Sequence, residues 1–251
     1  MTDRLAVLRA SVEHLRHVID DIEAFDPDGA AYPTEWTIAD TMSHIGSGAT
    51  IMKQNLENAV AGREGDPGFN QSVWDEWNAK SPTDQVNDAL VADEKLLLSL
   101  EALSESEKSA FHFSMGPFDL DFDGFVGLRL NEQAVHTWDV EVAVNPSATL
   151  SDEVAGAIID NLQLIIRFAG KARGEVKEMS VRTTNPARDF MLVFADDAIS
   201  MGDSAHSGDV DLELPAEAFV RLVYGRLDAD NAPAGINQLH LEDLRKAFPG
   251  F

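Results

Sequence analysis

Arg129-Leu-Asn-Glu-Gln-Ala-Val-His-Thr-Trp-Asp139 sets Glu132 and His136 four residues apart. On a helix, residues at that spacing share a face one turn apart. The rise between them is about 6 Å, so a carboxylate oxygen and an imidazole nitrogen can converge on one point. A divalent cation accepts such a pair, but zinc sites use three or four ligands, so a third must come from elsewhere. The candidate is His44, within Trp36-Thr-Ile-Ala-Asp-Thr-Met-Ser-His-Ile45. The other reading of Glu132 and His136 is a plain i,i+4 pair on the surface of an amphipathic helix. The E-x-x-x-H spacing alone does not separate the two.

Working outward, the stretch belongs to a helix expected from about Leu120 to Val144, with Phe125, Leu128, Ala134, Val135, Trp138 and Val142 inward and Asn145-Pro146 as its stop. Three more long helices precede it. Thr2 to Phe25 carries Leu5, Leu8, Val12, Leu15, Val18, Ile19 and Ile22 at three- and four-residue spacing. After a break at Asp26-Pro-Asp-Gly29 and a short loop with Pro33, a second helix runs from Thr37 to about Ala61. Thr37 and Asp40 form a capping box with Asp in place of Glu or Gln. His44 then falls in the second turn, and Asp40 is either a capping residue or a partner that orients His44. Pro82-Thr83 opens the helix to Leu103, with Val86, Leu90, Leu97 and Leu100 on one side. Gly62 to Ser81 is expected to be irregular or partly helical, with Trp74 and Trp77 either anchoring the loop or walling a pocket. Ser104 to Gly116 reads as a polar connection, and Met115 to Phe118 as a turn. Four long helices with unequal connections imply a bundle, where core-facing polar residues build metal or ligand sites. His14, His17 and His112 read as surface or turn residues rather than ligands.

Period and composition change after Pro146. Leu150 to Ala172 is expected as a fifth helix. Glu178 to Thr184, Phe190 to Phe194, Ile199 to Met201 and Val210 to Leu214 alternate like strands, with a turn at Asn185-Pro186. Pro215 to Tyr224 reads as a helix with Pro at its first position, and Leu239 to Phe248 as the last helix. The expectation is an α+β protein of two domains: a helical bundle over residues 1–146 and a smaller α+β domain over 147–251.

Composition narrows the chemistry. The 251 residues are 44% hydrophobic, enough for a sizeable core. There is no cysteine, so thiolate ligands, disulfides and a cysteine nucleophile are excluded and any thiol must be brought by a small molecule. A formal net charge of −25 opposes nucleic acid and anionic membranes as partners. No apolar run approaches the length of a membrane span. Met1 to Arg9 lacks the apolar core of a signal peptide, and a cytoplasmic protein is expected.

The segment Pro33-Thr-Glu-Trp-Thr-Ile-Ala-Asp-Thr-Met-Ser-His-Ile-Gly-Ser-Gly-Ala49, together with Arg129-Leu-Asn-Glu-Gln-Ala-Val-His-Thr-Trp-Asp-Val140, resembles the mycothiol-dependent maleylpyruvate isomerase family, a branch of the DinB-like metal-binding four-helix bundles. Leu214-Pro-Ala-Glu-Ala-Phe-Val-Arg-Leu-Val-Tyr-Gly-Arg-Leu227 resembles the sterol-carrier-like domain appended in that family. The resemblance implies that His44, Glu132 and His136 hold a divalent metal, usually zinc. It implies mycothiol as the thiol cosubstrate and a small electrophile as substrate. Arg226 matches a recurrent Gly-Arg that reaches an acidic substrate or cofactor; its other reading is an arginine that favours a helix C-terminus. Arg226 and Asp40 are thus the catalytic candidates. Three activities remain open. One is a thiol-dependent isomerase or S-transferase, in which a thiolate attacks a conjugated double bond. The second is a metal- or small-molecule-binding protein without turnover. The third is a hydrolase using zinc-bound hydroxide with Asp40 or Asp139 as base. Two nitrogens and a carboxylate suit zinc, and also nickel, cobalt or iron. A monomer and a homodimer are equally compatible with the sequence.

Overall fold

The computed structural model describes residues 3–21, 26–32, 35–116, 118–172, 177–204, 208–234, 236 and 238–250. The expected end of the first helix at Ile22 to Phe25, and the loop and turn prolines Pro33 and Pro117, lie outside these. The chain forms two compact units, Asp3–Asn145 and Pro146–Phe251.

In the first unit, α1 (Arg4–Asp21), α2 (Ile38–Val60), α4 (Pro82–Glu101) and α6 (Phe122–Val144) are the long helices. Each touches two of the others, α1 with α6 and α4, and α2 with α4 and α6, so the four close into a bundle. Of the stripe expected on α1, Leu8, Val12, Leu15 and Val18 are buried and Leu5 and Ile19 half-buried, and Val7 joins them in the core. Ion pairs dress the seams. Arg9 Nε donates to Glu101 Oε1 at 2.6 Å, and Arg4 pairs with Asp123.

At α2 the capping box forms as its residues dictate. The Thr37 hydroxyl accepts from Asp40 N at 3.0 Å, while Asp40 Oδ2 accepts from Thr37 N at 2.9 Å. The close packing of α2 on α4 depends on Gly46. A Cβ there would lie 2.1 Å from the Trp77 ring and 2.9 Å from Ala89 Cα. Inside the bundle, the buried Arg129 guanidinium pairs with Asp93 of α4 and donates to Ile45 O of α2 at 3.1 Å. One side chain on α6 thereby references both neighbours.

The connections between the long helices carry order of their own: the partly helical reading of Gly62 to Ser81 and the turn at Met115 to Phe118 hold, while the polar stretch after Ser104 contains an unexpected helix. The connection from Gly62 to Ser81 contains α3 (Phe69–Asn78), and Trp77 is its buried anchor whereas Trp74 stays exposed. Ser104 caps α5 (Glu105–Ala110) through its own box with Glu107. The hairpin of β1 (Phe113–Met115) and β2 (Phe118–Leu120) follows.

The second unit has a sheet of order β5-β4-β3-β6. Its strands are β3 (Lys177–Thr184), β4 (Arg188–Phe194), β5 (Ile199–Asp203) and β6 (Leu212–Pro215). The pairs β3–β4 and β4–β5 are antiparallel, and β6 runs parallel to β3. The single helix expected over Leu150 to Ala172 is broken into α7 (Asp152–Ile159) and α8 (Leu162–Ala169). The halves differ in their main partner: α7 packs chiefly on α9 (Ala216–Val223), whereas α8 packs chiefly on β5 and less on α9. Pro215 is the last residue of β6 and the N-cap of α9, one position earlier than expected. Every residue of α9 is buried. The unit closes with α10 (Gln238–Ala247). This is an α+β protein of two units, and no helix among the described residues is long and apolar enough to cross a membrane.

Candidate metal centre

Helices α2 and α6 face each other, and their facing turns bring together the three residues singled out by sequence. His44, in the second turn of α2, meets Glu132 and His136 of α6. One ligand atom from each lies within 4.8 Å of the others, and among the described residues no other group of three or more such side chains does this. The separations carry the argument. His44 Nε2 is 3.3 Å, and His136 Nε2 3.6 Å, from the same carboxylate oxygen, Glu132 Oε2. A charged hydrogen bond would be about 2.7–2.9 Å. Tetrahedral ligands at about 2.0–2.2 Å from zinc stand about 3.3–3.6 Å from one another. That spacing admits a shared cation, and without one the 3.3 Å contact from His44 to Glu132 is a long hydrogen bond.

The cluster is open on one side. The side chains of His44 and Glu132 are 42% and 40% exposed, whereas that of His136 is 11% exposed. His136 is also held from behind: its Nδ1 lies 2.8 Å from Asp139 Oδ2, and Asp139 is buried. That bond places the donor hydrogen on Nδ1 and turns Nε2 toward Glu132, an arrangement that fixes a ligating histidine's tautomer and raises its basicity. Two carboxylates therefore flank one imidazole. Burial pulls the His136 pKa down, but the hydrogen bonds and charges of Asp139 and Glu132 outweigh it and push the value up to about 9. Burial pushes the Glu132 carboxyl up; the hydrogen bonds and charges of His136 and His44 win and hold it below the usual carboxylate range. With its pKa raised, His136 is an imidazolium at neutral pH, held between the carboxylates of Asp139 and Glu132.

Trp36 completes the surroundings. Its ring stacks near-parallel to His136, at 6.1 Å between centroids and 18°, and tilts against His44 at 5.3 Å. Sequence reading did not give Trp36 a role, and considered Asp139 only as a base. The i+3 spacing of Asp139 from His136 was the available signal; Trp36 had none beyond its place beside the N-cap.

The remaining candidates have other partners. Both Thr37 donors, its N–H and its hydroxyl at 2.7 Å, engage Asp40 Oδ2, so that carboxylate is occupied in capping. His14 Nε2 bonds Glu141 at 2.8 Å, His17 is exposed, and His112 sits on the hairpin beside Ser114 and Asp119. Arg226, in the second unit, follows Gly225 (φ 74°), is buried, and donates to Tyr224 O at 2.7 Å.

A family described as the mycothiol maleylpyruvate isomerase N-terminal domain matches residues 8–141. The chain belongs to this family. The matched segment contains Trp36, His44, Glu132, His136 and Asp139, so every side chain at the cluster lies within the family's domain. Two crystal structures of the mycothiol-dependent maleylpyruvate isomerase share its fold. One is of a histidine-to-alanine mutant, with a TM-score of 0.66 and 13% identity. The other has a TM-score of 0.65 and 14% identity. Each alignment covers 92% of this chain and 90% of the other. No curated protein sequence matches.

Proposed function

We propose that this protein is a divalent-metal- and thiol-dependent isomerase acting on a small conjugated electrophile, with mycothiol as the thiol and maleylpyruvate as the first substrate to test. The single observation that carries the reading is the convergence of two imidazoles and one carboxylate at ligand spacing, with an exposed side left for a further ligand. The donor set and its spacing fit zinc. A divalent cation held there would lower the pKa of a thiol and supply thiolate at neutral pH.

The protein's own groups do the rest. His44, Glu132 and His136 would hold the ion, and Asp139 keeps the proton of His136 on Nδ1, away from the reacting face. Trp36 screens one flank from water. With a thiol cosubstrate, addition to a cis double bond conjugated to carbonyls moves the π electrons onto a carbonyl oxygen and leaves a rotatable single bond. Return of that electron pair reforms the double bond in the trans form and expels the same thiolate, so no atom is gained or lost. If the adduct instead leaves intact, the activity is S-transfer. A metal-hydroxide hydrolase is less well supported, because Asp40 is bound to Thr37 and Asp139 to His136. For Arg226 the family resemblance supplies a carboxylate-binding role, which predicts a raised KM in Arg226→Lys.

The test is metal analysis of the purified protein, then NMR of maleylpyruvate with mycothiol for wild type and His44→Ala. The expected result is metal-dependent cis-to-trans conversion with the thiol returned, and loss of both metal and conversion in His44→Ala. A metal-loaded wild type that neither isomerises the substrate nor forms a thiol adduct overturns the reading.

A further inference from the structure

The Trp36 indole has a feature that metal binding leaves unexplained. It is 38% exposed, yet it sits on a fixed corner of the chain. Its carbonyl accepts from Ala31 N at 2.9 Å, Thr37 beside it pairs with Ala30 in an isolated β-bridge, and Ile38 N donates to Gly29 O at 2.8 Å. The Thr37–Asp40 capping box pins the next turn. A large aromatic left part-exposed on a backbone fixed in this way forgoes some of the stabilisation that full burial would give. It also lies beside the cluster: its ring centroid is 6.1 Å from that of His136 and 5.3 Å from that of His44, next to the exposed side chains of His44 and Glu132.

We propose that Trp36 is the specificity-determining residue of this site, the surface on which the flat, conjugated face of an electrophilic oxo-acid rests. The proposal rests on the reading of the site given above and extends it to the class of substrate. A double bond conjugated with carbonyls is planar and electron-poor, and an indole face is electron-rich, so offset stacking is the favoured contact. A saturated acid of the same charge and length is neither planar nor electron-poor at those carbons and loses it. Because addition at the double bond also ends the conjugation, the contact belongs to the ground state. It acts on KM and leaves kcat in place or raises it.

The test uses full-length, zinc-loaded protein without thiol, with cis-4-oxopent-2-enoate as the conjugated probe and 4-oxopentanoate as its saturated counterpart. Binding is read by calorimetry and by quenching of tryptophan fluorescence, with Trp36→Phe and Trp36→Leu as variants and bound zinc measured in each. Wild type should prefer the conjugated acid by about three- to tenfold, as expected for one stacking contact. Trp36→Phe should keep part of the preference. Trp36→Leu should lose it, together with the quenching, at unchanged zinc content. A Leu variant with the wild-type preference overturns the proposal and leaves the isomerase reading standing. A Leu variant that loses zinc in step with the preference also overturns it, since Trp36 would then act only by ordering the histidines. A wild type that binds neither zinc nor the conjugated acid overturns both.

Discussion

Asp139 meets the proposed metal site through its hydrogen bond to His136 Nδ1, and its charge is separable from its shape. Asp139→Asn keeps an acceptor for His136 Nδ1 but removes the negative charge that raises the imidazole's basicity. Loss of such a partner typically lowers metal affinity by about 10–100-fold. Competition against a chromophoric chelator should show that drop with little change in secondary structure; an unchanged affinity would remove Asp139 from the site. The same residues set a pH dependence. In the metal-free protein His136 carries its proton up to about pH 9. That protonated form adds stability that is complete below the histidine's ordinary pKa and fades as pH rises through 9. Metal needs the neutral form, so its affinity runs the other way, climbing by about tenfold per pH unit as one proton is displaced and levelling above the folded pKa. Glu132, held below the usual range, is a carboxylate throughout and adds no slope. Zinc titration at pH 7 in buffers of different ionisation enthalpy should report one proton released per metal. At this scale Glu132 and His136 were legible because one helical turn joins them, whereas Asp139's role needed its burial and Trp36's needed its ring contacts.

Elements were legible where a local rule spoke alone. The Thr37-x-x-Asp40 box announced α2 and is present, and Thr37→Ala should cost about 1 kcal/mol in denaturant unfolding, with zinc content kept. An Asp40→Ala variant that loses turnover far beyond its loss of stability would give Asp40 a part in the chemistry as well as in the cap. Segments were misread where two rules conflicted. Ser104 and Glu107 form the same kind of box, but the polar run around them hid α5. Leu150 to Ala172 is apolar enough throughout for one helix, and period carries no sign that α7 packs chiefly on α9 and α8 chiefly on β5. Gly46 shows a constraint that sequence cannot display, because its neighbours, Trp77 and Ala89, are more than thirty residues away in the chain. A methyl group there must push apart a buried ring and a helix backbone, and overpacking of that kind costs about 1–3 kcal/mol. Gly46→Ala should lower the unfolding midpoint accordingly; full stability would mean that α2 and α4 separate more freely than their packing implies.

For the whole molecule, the long-range link is the one that matters, since His44 and Glu132 are 88 residues apart. Periodicity recovered the bundle and the α+β second half, but no spacing rule spans such a distance, and His44 was named as the third ligand from its place near the start of α2 together with the family resemblance. A cation joining α2 to α6 would bind the folded first unit and not its unfolded chain. Its contribution follows mass action, about 2.7 kcal/mol at a free metal concentration 100 times Kd. All three ligand side chains lie between Asp3 and Asn145. Hydrogen exchange on the intact protein, with and without a chelator, should therefore show α2 and α6 losing protection when metal is withdrawn, while β3, β4 and β5 exchange as before. The thermal transition belonging to the first unit should fall in the same experiment and return on adding zinc. Equal loss of protection across the sheet would mean that metal stabilises the chain through some route other than these three side chains, and no change anywhere would mean that the cluster carries no ion.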